Sequence, residues 1–167
     1  MKNFKEFMNE SNIDKDTLVI SGFPGIGKSH FYRKNEKEGK IVLDSDSSKF
    51  SWIKDENGNN TKERDPNFPN NYIKHIKENI GKADIILVSS HKIVRDVLVE
   101  NNITFTLVYP SREIKEEYLQ RYKDRGSDGP FVELLNNNWD NFLDELEEQK
   151  GCDKIELEEG KYLSDYL

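Results

Sequence analysis

The sequence predicts an α/β protein: one parallel sheet with helices layered on both of its faces. Three observations carry that prediction. Short apolar runs of four or five residues recur without strict alternation, the pattern of strands covered on both sides. Helical periodicity fills the intervals between them, so the units read as βαβ with right-handed crossovers. The chain is 167 residues long, the size of one domain, taken here as 1–167.

In chain order, "DTLVISG" is the first run, and "KSHFYRKNEKE" behind it opens the first helix. "KIVLDSD" is the second run. The segment "SSKFSWIKDENGNNTKERDPNFPN" (about 47–70) then breaks the rhythm, being polar and rich in Asn, Pro and Gly. A long irregular insert in a compact domain is usually functional or mobile. "NNYIKHIKENIG" places Ile73, Ile76 and Ile80 at helical spacing and ends at Gly81. His75 falls on the polar side of that stripe and reads as solvated. "KADIILVSSH" is the third run, "IVRDVLVENN" its helix, and "ITFTLVYPS" the fourth. In "SREIKEEYLQRYKDRG", Ser111 reads as N-cap and Ile114, Tyr118 and Tyr122 form a stripe. "FVELLNNNWDNFLDELEEQ" carries Phe131, Leu135, Trp139, Phe142 and Leu146 on one face, a core stripe. "CDKIELEEG" is a weaker fifth run. No repeat or low-complexity block is present.

Composition narrows the class. Formal net charge is −7, which disfavours broad nucleic-acid binding, so no stable nucleic-acid partner is expected. Much of the acid lies in "LDELEEQKGCDKIELEEG" and reads as a solvated helix face. The single cysteine, Cys152, excludes an internal disulfide and a Cys-rich zinc site. "MKNFKEFMNESNIDKD" lacks an apolar run of signal-peptide length, and no apolar stretch approaches 18 residues. The expectation is a soluble, cytoplasmic protein with no membrane partner, monomeric or homodimeric.

The chemistry starts at "GFPGIGKS". Gly22 and Gly27 have four residues between them, and Lys28 and Ser29 follow. The match to G-x-x-x-x-G-K-[ST] sits between a strand and a helix, as a nucleotide phosphate loop requires. Glycines let backbone N–H groups curl around phosphates, and the helix N-terminus adds its positive end. Gly22, Gly25, Ile26, Gly27, Lys28, Ser29 and His30 are thus the expected ATP-binding residues. Lys28 would reach the β- and γ-phosphates, and Ser29 would ligate Mg²⁺. A GTPase base-reading Asn-Lys-x-Asp is missing. The third run, "IILVSSH", carries Ser89 where a Walker-B Asp would stand, which weakens a motor-ATPase reading. Ser89 could hold a metal-bound water. Asp44 and Asp46, at the C-terminal end of the second run, point the same way along an extended chain. Asp44 would support Mg²⁺ through water, and Asp46 would orient or deprotonate an acceptor. Arg121 and Arg125, at i and i+4, could close over the transferring phosphoryl group as a lid of about 119–130, with Gly126 and Gly129 as a flexible exit.

These residues together resemble the nucleoside monophosphate kinase-like superfamily of P-loop kinases, most closely the small deoxynucleoside monophosphate kinases of bacteriophages. The resemblance spans nearly the whole chain in order: phosphate loop, acidic strand end, insert, third strand, arginine lid. It implies a three-layer P-loop fold with five parallel strands in the order 2-3-1-4-5, ATP and Mg²⁺ at Gly22, Gly25, Gly27, Lys28 and Ser29, and lid roles for Arg121 and Arg125. "DSD" (44–46) also resembles the acceptor-binding Asp-x-Asp of shikimate kinase, but that enzyme's other acceptor motifs are not evident. The family usually cradles adenine after its fifth strand, here "ELEEG" (156–160).

The insert is where an acceptor would sit. Phe50, Trp52, Phe68 and Tyr72 offer faces for a base, with Asp46 and His91 beside the phosphates; Arg64 and Lys62 could meet an acceptor phosphate. The expected function is phosphoryl transfer from Mg·ATP to a nucleoside or deoxynucleoside monophosphate, with Lys28, Arg121, Arg125 and Asp46 as catalytic residues. The alternatives are a polynucleotide 5′-hydroxyl or small-metabolite kinase, and a nucleotide-binding regulatory protein.

Overall fold

Strand β5 (Ile85–Ser89) is buried at every position, which is possible only when both faces of the sheet are covered. That burial explains why "IILVS" lacks polar alternation. The computed structural model describes residues 16–167, so the opening segment read above for targeting signals lies almost wholly outside them. Its elements run β1 (Leu18–Gly22), α1 (Lys28–Lys37), β2 (Val42–Ser45), α2 (Ser48–Ser51), β3 (Trp52–Lys54), β4 (Asn60–Arg64), α3 (Asn70–Asn79), β5, α4 (Lys92–Glu100), β6 (Thr106–Pro110), α5 (Lys115–Asp124), α6 (Gly129–Glu148) and β7 (Asp153–Leu157). Short 3₁₀ turns occupy Arg112–Ile114 and Leu163–Asp165.

The fold is α/β, with a five-stranded, all-parallel sheet ordered β2-β5-β1-β6-β7. The numbering departs from the expected 2-3-1-4-5 because the insert contributes two strands of its own. The five sheet strands, counted alone, run second-third-first-fourth-fifth. β1 sits centrally, pairing Gly22 with Ser89 on one side and Val108 on the other. The phosphate loop therefore leaves the sheet at its middle, where the strand order reverses and a crevice forms.

Two expectations fail here. The insert is not irregular: α2 leads into an antiparallel β3–β4 hairpin pairing Trp52 with Arg64. Its tip is an Asp55 turn, with Oδ1 accepting from Asn57 and Asn59 N–H groups, so the Asn and Gly residues that suggested irregularity are the hairpin's turn. Ser111 is the N-cap of the 3₁₀ turn and not of α5, and its side chain makes no cap hydrogen bond. Its N–H donates to Leu157 O at 2.8 Å, extending the sheet, and α5 begins only after the 3₁₀ turn.

The α6 stripe is core as expected at Leu135, Trp139 and Leu146, whereas Phe131 and Phe142 are only part-buried. Trp139, 2% exposed, meets Phe23 edge-on at 5.7 Å and Tyr118 at 5.7 Å, and donates from Nε1 to Arg112 O. Removing it opens a cavity beneath the phosphate loop. Trp139→Ala is expected to lower unfolding free energy by about 3–5 kcal/mol, read from the urea midpoint. The acidic face of the same helix is only partly a solvated one, since Asp140, Asp144 and Glu147 converge on the Arg112 guanidinium. No helix among the described residues is long and apolar enough to cross a membrane.

Candidate functional site

The turn from β1 into α1 is held open by its glycines. Gly25 and Gly27 both have φ +90°, a conformation that strains any residue with a Cβ. Space forbids one as well: a Cβ at Gly25 would lie 2.9 Å from the Tyr122 ring, and at Gly27 2.9 Å from Tyr162. Three successive carbonyls of the loop are tied from outside. Tyr122 Oη donates to Pro24 O at 2.8 Å, Arg121 Nη1 to Gly25 O at 2.8 Å, and Leu163 N to Ile26 O at 2.8 Å. With the oxygens held this way, the loop conformation is braced by two elements distant in sequence. The first turn of α1 carries no side-chain cap and no acidic residue, leaving its N–H groups for an anion.

Lys28 and Ser29 stand at the mouth of a cavity of about 280 Å³ that also takes in Gly22, Asp44, Asp46, Ser89, His91, Arg125 and Phe131. Lys28 Nζ donates to Gly22 O at 3.0 Å. Burial pushes its pKa down, the Asp44 and Asp46 carboxylates oppose that, and Arg125 adds to the depression. An arriving polyphosphate would favour the charged ammonium. Ser29 and His30 are exposed and, with Gly25, Gly27, Arg121, Asp124, Arg125 and Tyr162, line a second open cavity across the loop.

Asp44 and Asp46 are exposed on either side of buried Ser45, so alternation along β2 does turn both carboxylates into the first cavity. Asp46 Oδ1 accepts only the Ser48 N–H, at 3.0 Å, among the described residues. Ser45 is anchored behind them: Tyr72 Oη donates to its carbonyl, and its Oγ lies 2.8 Å from His75 Nε2. His75 is therefore not a solvated surface residue. It packs on Phe50 at 4.8 Å between ring centres and reaches Asn79. Burial lowers its pKa, Glu78 opposes and Lys49 assists; burial and then Lys28 lower that of His91. A depressed histidine pKa contributes stability above the ordinary value of about 6.5 that is lost as pH falls through the folded-state value. Unfolding free energy should accordingly drop as pH falls below the ordinary value of about 6.5, and His75→Gln should flatten that profile in urea titrations.

A third cavity, of about 440 Å³, adjoins the first through Asp46 and His91. It brings together Trp52, Arg64, Phe68 and Lys92, with the Arg64 guanidinium 4.1 Å from the Trp52 ring centre. Of the residues expected at an acceptor, Asp46, Trp52, Arg64, Phe68 and His91 meet here. Tyr72 and Phe50 do not. Tyr72 is fully buried, its hydroxyl spent on Ser45, and Phe50 packs on Tyr72 and His75. Tyr72 belongs to the main hydrophobic core, and Phe50 packs against it.

Other assignments shift. Ser89 Oγ is bonded to Ser47 Oγ at 2.7 Å and accepts the Ser47 N–H at 3.2 Å, so it secures the start of the insert rather than offering a free hydroxyl to a metal-bound water. Arg121 is locked: besides Gly25 O, it donates to Lys161 O, pairs with Glu117 at 3.5 Å and lies between the Tyr118 and Tyr162 rings. It braces the loop instead of riding on a lid. Arg125 is exposed, rests on Tyr122 and lines both phosphate-side cavities. Gly129 opens α6, whose N-cap Asp128 accepts from Phe131 N, so segment 119–130 is mostly helix.

Glu156 lies in β7, and the Gly160 N–H is taken by Glu117 at 2.8 Å, leaving little of "ELEEG" to cradle a base. Tyr162, two residues further, faces the donor side instead. That aromatic, shortly after the fifth strand, was the available signal for it; nothing in the sequence marked Ser47. Among the described residues no group of three or more His, Cys, Asp or Glu is placed to hold a metal ion. The donor set of Ser29 with Asp44 and Asp46 still fits Mg²⁺, which keeps most of its waters and binds through one or two carboxylates plus substrate phosphates.

The chain matches no protein-family model, and no curated protein matches it.

Proposed function

We propose that the protein transfers the γ-phosphoryl group of ATP to a nucleoside or deoxynucleoside monophosphate. One observation carries the reading: the cavity around Lys28 and Ser29 opens, through Asp46 and His91, into a second cavity with aromatic and cationic walls. Donor and acceptor would meet there, with water displaced. An acceptor-phosphate oxygen forms the new bond to phosphorus as the bond to ADP breaks.

Backbone N–H groups of the loop and Lys28 bind the donor phosphates. Ser29 and Asp44 would hold Mg²⁺. When bound, the ion neutralises charge on the β- and γ-phosphate oxygens. Arg125 faces the transferring group, and Arg64 and Lys92 face the acceptor phosphate.

A hydroxyl acceptor is a second reading, favoured by Asp46: a carboxylate with one weak tie, standing at the junction of the two cavities. The two readings separate at Asp46→Asn. With a monophosphate acceptor, kcat should fall by less than about tenfold; a hydroxyl acceptor needs its proton removed and should lose about 10²–10⁴. ADP release with a panel of (deoxy)nucleoside monophosphates, an oligonucleotide 5′-hydroxyl and shikimate tests the proposal. No acceptor-stimulated turnover anywhere in that panel would sink it and leave a nucleotide-binding protein without transferase activity.

A further inference from the structure

A further cavity, of about 150 Å³, lies between α4 and α6, walled by Phe23, Phe131, Leu135, Phe142 and Leu146. It borders the phosphate cavity along Pro24, Ser90, His91 and Phe131. It shares His91 and Lys92 with the Trp52–Arg64 groove, but it is smaller and more apolar. An apolar cavity of about this volume, lined by Leu, Ile and Phe, stays dry and admits one benzene-sized ring. A single six-membered ring matches that volume more closely than a two-ring purine does.

One polar feature distinguishes it from a packing defect. Arg95 is 3% exposed and contributes to the wall. Its Nε donates to Ser90 O at 2.8 Å and its Nη1 to Gln149 at 2.6 Å, whereas Nη2 reaches Glu145 only at 3.5 Å. Nη1 and Nη2 each carry two N–H groups and have one partner apiece, so the guanidinium keeps donors to offer. A carbonyl on a six-membered ring would complete it, in surroundings where such a bond is strong.

We infer that this cavity receives the base of the acceptor and that the acceptor is a pyrimidine nucleotide, its ring among Phe23, Leu135 and Phe142 and a ring carbonyl toward Arg95. The inference rests on the transferase reading above. It assigns the Trp52–Arg64 groove to the sugar-phosphate portion and to closure of the insert.

The test compares dTMP and dCMP with dAMP and dGMP as acceptors for Mg·ATP, in the wild-type chain and two variants. Leu134 is half exposed at the cavity's rim, so Leu134→Trp should fold normally while filling the mouth. The pyrimidine monophosphates should show the higher kcat/KM by about tenfold or more, and Leu134→Trp should raise their KM by a similar factor with ATP affinity unchanged. Phe142→Ala, which enlarges the cavity, should raise kcat/KM for dGMP. Equal use of purines, or KM values moved by Trp52→Ala but not by Leu134→Trp, would overturn the cavity assignment while leaving phosphoryl transfer intact. Should no monophosphate turn over, the transferase reading fails by itself. The cavity is then judged by nuclear Overhauser contacts between the dTMP ring and the Phe142 and Leu135 side chains. Their presence supports the pyrimidine site, and their absence rejects it.

Discussion

Lys28→Ala is expected to reduce phosphoryl transfer about a thousandfold or more, equivalent to ~4 kcal/mol of barrier, without unfolding the protein. The ammonium reaches the heart of the phosphate cavity from the first turn of α1, held on Gly22 O and facing Asp44 and Asp46. It is the cation most deeply placed there, and the electrostatic field it supplies is preorganised before the donor arrives. The fold does not depend on it. Burial depresses the Lys28 pKa, so in the free protein the charged group is held against a desolvation cost that alanine removes. Thermal unfolding without nucleotide should be unchanged or slightly raised. The stabilisation that saturating ATP would confer on the wild-type chain under the proposed function, about 2.7 kcal/mol at a hundredfold excess over Kd, should largely vanish. Turnover within tenfold of wild type would remove Lys28 from the mechanism.

The second large effect separates two arginines that look alike in sequence. If the proposed transfer is right, Arg125→Ala should lower kcat about 10²–10³-fold with ATP affinity nearly intact, because that exposed guanidinium lines both cavities and would serve the migrating charge. Its one hydrogen bond is to Ser127 Oγ at 3.0 Å, on the same turn. Arg121→Ala should do the reverse. Its side chain, 10% exposed, bonds Gly25 O and Lys161 O and so joins the phosphate loop to the C-terminal segment. A charged hydrogen bond is worth about 1.5–3 kcal/mol, so loss of both should cost about 3 kcal/mol of stability or more. Glu117, whose Oε2 is buried without a partner among the described residues, would also lose its counter-charge. The readouts are ATP Kd by calorimetry, the urea midpoint and kcat at saturating ATP. A fall in kcat alone for the Arg121 variant would return it to the lid role.

The phosphate loop was legible because its chemistry is local. Gly22 to Ser29 are contiguous, and the strand before and helix after them are written in periodicity. Asp44 and Asp46 were legible for the same reason, since alternation along one strand decides which way they point. The stretch at 47–70 was misread because turn residues concentrate equally in a hairpin tip and in an irregular loop, and only the pairing of Trp52 with Arg64 distinguishes them. His75 and Tyr72 were misjudged because the helix pattern shows which face is apolar, not that Ser45 would bring hydrogen-bonding groups against it.

By itself, then, the sequence determined the α/β class, the succession of the five sheet strands with the helices between them, and the glycine-bearing turn that joins β1 to α1. All of these follow from spacing within ten or twenty residues. The tertiary structure alone decided which side chains share a cavity. Arg121 and Arg125 are one helical turn apart, yet one is braced by Tyr162 and Lys161 some forty residues away, and the other is exposed and bonds only Ser127 on its own turn, among the described residues. Ser89 stands where an acid was expected, but its role was set by Ser47 across the sheet edge. Such partners are separated by whole helices and strands in the chain, and only packing, which is non-local, brings them within hydrogen-bonding distance.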